Sequence, residues 1–190
     1  MLTILGTLMN GKIPVMINYA TGAIENCKYA QEKCQFRTII TSKQLLKKMG
    51  LEPIEDMIFV EDILSQVTLA SKLKAAALSK LPFAVLKNLV HTGDISETSV
   101  ILFTSGSERE PKAVQLSHKN ILHNVISFPK MIHLDENEVF GSILPLFHVF
   151  GLTVNFWLPI TIGASMVAYA NPLEYRTVCE YIREYKVSFI

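Results

Sequence analysis

The chain has only three cysteines in 190 residues, Cys27, Cys34 and Cys179, and no two of them form a CxxC pair. That excludes a disulfide scaffold, and no metal-ligand cluster with the histidines is recognisable; scattered, odd-numbered thiols read as reduced cysteines with structural roles. The glycines never fall into Gly-x-Gly-x-x-Gly, so an unrelated dinucleotide-binding module is disfavoured. Gly-x-Ser-x-Gly is missing too, which sets aside a hydrolase nucleophile elbow. Neither sign of charge dominates: 18 basic against 17 acidic residues leave a net +1, no basis for a nucleic-acid partner. Uninterrupted apolar runs are short. The longest apolar stretch, residues 143–170, is broken by Pro145, His148, Asn155, Pro159 and Gly163, whereas a bilayer-spanning helix needs about 20 predominantly apolar residues. Met1-Leu2-Thr3 has no basic start of the kind a secretory leader carries. A cytoplasmic location is expected.

What is present is a folding chain, since 49% apolar and 18% charged residues argue against disorder. The length suits one sizeable domain with a real core. Apolar periodicity alternates between strand and helix. "IPVMIN" (13–18) reads as a strand, and a helix is expected from Ala23 to about Cys34. "RTIIT" (37–41) is a second strand, followed by Ser42 placed to cap "KQLLKKM" and by Gly50 to end it. "MIFV" (57–60) is a third, then a mostly helical region runs to about residue 90, broken at Pro82. "SVILF" (99–103) and "AVQL" (113–116) read as strands joined through a turn. Ser117 caps a helix expected to end before Pro129. "EVFGSIL" is a strand, "FGLTVNFWLPITIG" a buried helix, "SMVAYA" a strand, "LEYRTVCEYIREYKV" an amphipathic helix, and "VSFI" the start of another strand. The fold class expected is α/β, a largely parallel sheet flanked by helices. Both ends read as cuts through a larger domain, making residues 1–190 a partial N-terminal domain.

The segment "FTSGSEREPKAVQLSHKN" (103–120) carries the most chemistry. A strand delivers Thr104-Ser105-Gly106-Ser107, then Glu108, Arg109, Glu110 and Pro111 precede Lys112. Hydroxyls and backbone N–H groups can face phosphate oxygens, Gly106 permits close approach, and Lys112 adds positive charge. An ordinary polar turn uses the same residue types, so composition leaves both readings open. A P-loop NTPase is excluded, because that motif needs Gly-Lys-Ser/Thr opening a helix and here the lysine follows Pro111.

This segment resembles the signature of the acyl-adenylate-forming (AMP-binding) superfamily, Thr-Ser-Gly-Ser-Thr-Gly-x-Pro-Lys-Gly. "LPLFHVFGLTVNFWLPITIGA" (144–164) is similar to the block that follows it, in the right order and at the right separation. "PVMINYATGA", "SGSE" and "NPLEYRTVCEYI" further resemble the acyl-[acyl-carrier-protein] synthetase domain of bacterial 2-acylglycerophosphoethanolamine acyltransferases. The resemblance implies that a fatty-acid carboxylate attacks ATP to give acyl-AMP and pyrophosphate. A thiol of acyl carrier protein or CoA then takes the acyl group, feeding lysophospholipid acylation. It implies that Thr104, Ser105, Gly106, Ser107 and Lys112 wrap the β- and γ-phosphates, with Glu108 in the same nucleotide-binding stretch. It places Phe147, His148, Phe150 and Gly151 beside the acyl pocket. There His148 would contact the carboxylate or adenylate as the catalytic histidine, and Gly151 would leave room for it. A lone histidine would otherwise read as a core residue with one hydrogen bond.

Two departures stand out: Arg109 and Ala113 occupy positions where the pattern has glycine. The family's Tyr-Gly-x-Thr-Glu segment, which holds adenine and Mg²⁺, its ribose-binding aspartate and its C-terminal lysine do not occur in these 190 residues. ATP is therefore expected as substrate, with the main Mg²⁺ ligand outside the chain and no metal site within it. The competing reading is a non-catalytic nucleotide- or acyl-binding remnant of a split or decaying ligase gene, paired with a separately encoded C-terminal half.

One absence remains. From Ile63 to Gly93 there is no Asp or Glu, while Lys72, Lys74, Lys80 and Lys87 stand among leucine and alanine. Such a segment could lie peripherally on an anionic membrane surface. On a helical projection Lys74 falls within the apolar face, and a helix packed on the domain with snorkelling lysines is the alternative.

Overall fold

A computed structural model describes residues 1–104, 110–169 and 171–190. Two compact units emerge, one made of residues 1–21 and 93–190, the other of residues 22–92.

In the unit of residues 22–92, helix α2 (Ala23–Cys34) ends at Gln35 in the left-handed region. Strand β1 (Ile39–Thr41) and strand β2 (Met57–Phe59) pair in parallel, Ile40 opposite Ile58. Between them runs α3 (Lys43–Met49), the crossover that a parallel pair requires. Its ends are as expected: Ser42 Oγ accepts the Leu45 N–H, and Gly50 closes it at φ 63°. Burial pushes the thiols of Cys27 and Cys34 up, away from the reactive thiolate form. Residues beyond β2 form α4 (Val60–Ser65), α5 (Leu69–Leu78), α6 (Phe83–Leu86) and a short 3₁₀ turn over 87–89. The region is helical as expected but broken at 66–68 as well as before Pro82.

The start of α4 is bound to the start of α3 by one carboxylate. Glu61 accepts the Ser42 hydroxyl at 2.6 Å, the Lys43 N–H at 3.0 Å and the Gln44 N–H at 3.2 Å. Two of these donors are backbone groups that a helix N-terminus leaves unpaired. Lys43 also pairs with Asp62. The Ser42 hydroxyl above all, with the backbone donors, lowers Glu61 from its ordinary 4.5 to about 2.

In the unit of residues 1–21 and 93–190, strand β3 (Thr98–Phe103) pairs antiparallel with β4 (Ala113–Ser117), and a register shift sits between Thr98 and Val100. On the other edge of β3, Val15 makes an isolated parallel bridge to Ile101. The expected strand over 13–18 is reduced to that bridge, whose Met16 N–H donates to the Ile101 carbonyl at 2.9 Å. Strand β5 (Val139–Ser142) pairs in parallel with β6 (Ser165–Ala168) and, through Phe140, with Phe189. The α/β class with mainly parallel pairing holds, β3–β4 being the antiparallel member. The core joins Val100 and Leu102 of β3, Phe140 of β5, and Leu152, Phe156 and Leu158 of the helical stretch 149–162.

Two findings depart from the sequence reading. Residues 2–9, to which no element was assigned, form a helix, α1. Met1, Ile4, Leu5 and Leu8 all pack on the core, and their i, i+3, i+4, i+7 spacing is the helical signature. Helix α7 (His118–Ile132) runs through Pro129 instead of ending before it. Proline in the last turn forfeits one backbone bond, while its ring is buried in a stripe with Ile121 and Val125. Ser117 caps α7 as expected, its oxygen accepting the Asn120 N–H while Asn120 Oδ1 accepts the Ser117 N–H.

Because Glu61 sits lower in the folded chain than when exposed, its stabilisation is complete above pH 4.5 and is lost as pH falls through about 2. Urea midpoints of Glu61→Gln should lie below those of the parent chain at neutral pH, and the gap should close across that acid window. A gap independent of pH would show that the ionised carboxylate is not what joins α3 to α4.

Candidate functional site

Thr104 and Lys112 stand at the connected end of the β3–β4 hairpin. Phe103 and Ala113 are the last paired residues. Beyond them the Thr104 N–H donates to the Lys112 carbonyl at 3.1 Å, and the Lys112 N–H donates to Thr104 Oγ1 at 3.0 Å. These reciprocal bonds form a neck. Ser105, Gly106, Ser107, Glu108 and Arg109, assigned above to the nucleotide loop, lie outside the described residues. Thr104 and Lys112 are exposed. With its oxygen accepting a backbone N–H, Thr104 offers outward its O–H, and Lys112 offers its ammonium. Both are donors suited to phosphate oxygens.

His148 belongs to a different support. It is the N-cap of α8 (Val149–Leu152), which continues through a π-helical turn (Thr153–Trp157) into α9 (Leu158–Ile162). His148 is exposed, which overturns the reading of it as a core histidine. Its Nδ1 accepts the Phe150 N–H at 3.3 Å. In the neutral ring the proton then sits on Nε2, a donor directed away from the helix cap. Phe150 is half exposed at 49%. Phe147 turns the other way and meets the Tyr19 ring edge-on, centroids 5.0 Å apart at 87°.

Gly151 makes room for the backbone. A Cβ there would lie 2.4 Å from the Pro145 carbonyl oxygen and 3.2 Å from Leu144 Cβ. The missing side chain lets the turn before α8 fold onto the helix and so places His148.

Two residues escaped the sequence reading. Tyr19 lies four residues past Val15, the bridge to β3, and touches Phe147, so one short segment contacts both supports. Its signal was the "NYATG" within a segment already noted for resemblance. Asn155 is buried in the π-helical turn, its Nδ2 donating to the Gly141 carbonyl at 2.9 Å while the Ser142 hydroxyl donates to the Asn155 carbonyl. A lone asparagine in an apolar helix is the signal, because buried amides need partners.

Comparison with known proteins decides what this arrangement belongs to. The model of the AMP-binding enzyme family matches residues 1–190. The chain belongs to the AMP-binding enzyme family. It is 31% identical over 186 residues to a long-chain-fatty-acid–CoA ligase of Mus musculus, covering 90% of this chain and 27% of the mouse enzyme. A medium-chain-fatty-acid–[acyl-carrier-protein] ligase of Teredinibacter turnerae is 33% identical over 96 residues, 50% of this chain and 15% of that protein. Among solved structures, o-succinylbenzoate CoA synthetase of Bacillus subtilis with its acyl-adenylate intermediate superposes with a TM-score of 0.75 at 18% identity, over 99% of this chain and 44% of that one. The chain thus spans less than a third of the mouse ligase.

Within the AMP-binding pattern, the Ala113 departure is accommodated. Ala113 sits in regular β4 pairing opposite Phe103 and is not among the residues with positive φ. Extended backbone accepts alanine as readily as glycine.

The close approach at Gly151 is testable by adding one methyl group. Gly151→Ala should destabilise the chain by about 1–3 kcal/mol, because the obstacle is backbone. Gly6→Ala in α1, where nothing lies within 4 Å of the added atom, should stabilise by roughly 0.5–1 kcal/mol. Equal denaturation midpoints for Gly151→Ala and the parent would show that Gly151 does not govern the turn.

Proposed function

We propose that this chain supplies the triphosphate-gripping hairpin and the acyl-side segment of an acid–thiol ligase. A fatty-acid carboxylate oxygen attacks the α-phosphorus of ATP. The bond to the bridging oxygen breaks, pyrophosphate leaves with the electron pair, and acyl-AMP remains. The sulfur of CoA or of an acyl carrier protein then attacks the acyl carbonyl, and AMP departs. Lys112, with the Thr104 hydroxyl, opposes the charge that accumulates on pyrophosphate, and fixed donors of that kind lower the barrier. His148 Nε2–H donates to the carboxylate or to the adenylate, and Phe147 and Phe150 line the acyl side. The observation that carries the reading is the hairpin neck at Thr104 and Lys112, which brackets the family's phosphate-loop signature.

Mg²⁺ accompanies ATP in the o-succinylbenzoate CoA synthetase complex. Among the described residues no group of three His, Cys, Asp or Glu could hold a metal ion, so no step is assigned to one here. The 190 residues do not include the Tyr-Gly-x-Thr-Glu segment or a match for the family's C-terminal lysine motif. In this reading these residues by themselves bind nucleotide without turning it over, and the remainder of the ligase supplies the missing motifs. The "SGSE" and "NPLEYRTVCEYI" segments support a place for the completed enzyme in passing acyl groups to lysophospholipids. Arg109 in the glycine position favours the second reading, a nucleotide- or acyl-binding remnant without catalysis.

Calorimetric titration with ATP tests the hairpin. Lys112→Ala should weaken binding by about tenfold, the worth of one charge-assisted contact at an exposed site. Arg109→Gly should bind equally or more tightly. Identical affinities for all three chains would remove the loop from the function. Fatty-acid-dependent pyrophosphate exchange by the 190 residues alone would overturn the assignment of catalysis to a longer assembly.

A further inference from the structure

The stretch without acidic residues is also the stretch that the fold leaves bare. Residues 63–77 are all exposed, and among 78–89 only Leu78 and Leu86 are half-buried. Leu69, Leu73 and Phe83 stand at 72%, 63% and 80% exposure, with Leu64 and Leu89 also above half. Among the described residues nothing covers these side chains. So many exposed large apolar side chains in one short segment point to an interaction site.

Helix α5 is properly begun, with Thr68 Oγ1 accepting the Ser71 N–H at 3.1 Å. At 100° per residue Leu69, Leu73 and Ala76 share one face. Lys72 lies on one border of that face, whereas Lys74 lies on the far side, beside the half-buried Leu78. The exposed stripe is therefore apolar at its centre with one basic margin. Lys80 and Lys87 continue the basic character past Pro82. Among the described residues none of these four lysines joins an ion pair.

Charge decides the partner. A segment with four lysines, no carboxylate and projecting leucine and phenylalanine matches a surface that is negative outside and apolar just beneath. Lysine stems can lie along acyl chains while their ammonium groups reach headgroup phosphates. No described helix is long and apolar enough to cross a membrane, so the contact is peripheral. We propose that residues 63–89 dock the chain on an anionic lipid bilayer. This stands apart from the ligase reading, since it rests on the exposure and charge of one segment and not on the hairpin.

Vesicle flotation of the 190-residue chain measures it. The chain should rise with vesicles of mixed phosphatidylglycerol and phosphatidylcholine and not with phosphatidylcholine alone. It should be released in about 1 M salt, where the screening length falls to about 3 Å. Each basic residue near an anionic surface is worth roughly fivefold in partitioning. The combined Lys72→Glu, Lys74→Glu, Lys80→Glu and Lys87→Glu chain should therefore lose more than about a hundredfold. Leu73→Ser with Phe83→Ser should weaken binding at constant charge. All six side chains are exposed, so circular dichroism of both variants should match the parent. Absence of flotation with anionic vesicles would overturn the proposal, as would equal flotation on phosphatidylcholine alone. A concentration-dependent dimer abolished by the serine pair would give the face to a second copy and overturn it too. Flotation without ATP binding would sink the ligase reading alone.

Discussion

Strand β3 is the member that the functional geometry depends on, because both of its edges and its inner face are engaged. One edge holds β4 and the other holds Val15, while Val100 and Leu102 are buried at 2% and 5% exposure. Burying two such side chains is worth on the order of 3–6 kcal/mol before entropy is charged against it. The two neck bonds at Thr104 and Lys112 contribute about 1 kcal/mol each at most. Burial therefore fixes where the hairpin stands, and the hydrogen bonds hold only its neck. A change at the neck should leave the fold standing.

The helical stretch that carries His148 has a separate anchor, which adds a polar contact to apolar packing. Asn155 cannot be left unpaired among Val154 and Phe156, both buried, because an unsatisfied buried amide costs roughly 1–3 kcal/mol. Its Nδ2 donates to the Gly141 carbonyl on β5, its backbone carbonyl accepts the Ser142 hydroxyl, and the two bonds tie the π-helical turn to one strand register. His148 then stands at a defined distance along the same helical stretch from a fixed point in the core. Tyr19 joins the two anchors physically: its segment is hydrogen-bonded to β3 while its ring rests on Phe147.

Much of this was legible in the sequence where a local signal had one solution. Ser42, Gly50 and Ser117 announced helix ends through capping chemistry and stand at those ends. The strand before the signature loop and its antiparallel neighbour were likewise readable from short β-prone runs bounded by turn residues. Failures came where tertiary contacts overrode a local rule. Pro129 should stop a helix, yet burial beside Val125 carries α7 past it. "IPVMIN" has strand composition, but among the described residues its pairing is a single bridge to β3. Met1, Ile4, Leu5 and Leu8 had helical spacing that a strand-first reading passed over. Tyr19 and Asn155, by contrast, act through contacts across the fold that no linear spacing encodes.

Departures from a motif do not weigh equally, and backbone conformation is what ranks them. A glycine is indispensable where φ is positive or where another atom occupies the Cβ position. Position 113 meets neither condition, being extended and exposed within β4, so its alanine leaves the hairpin intact. Position 151 meets the second, and glycine is retained there against the Pro145 carbonyl.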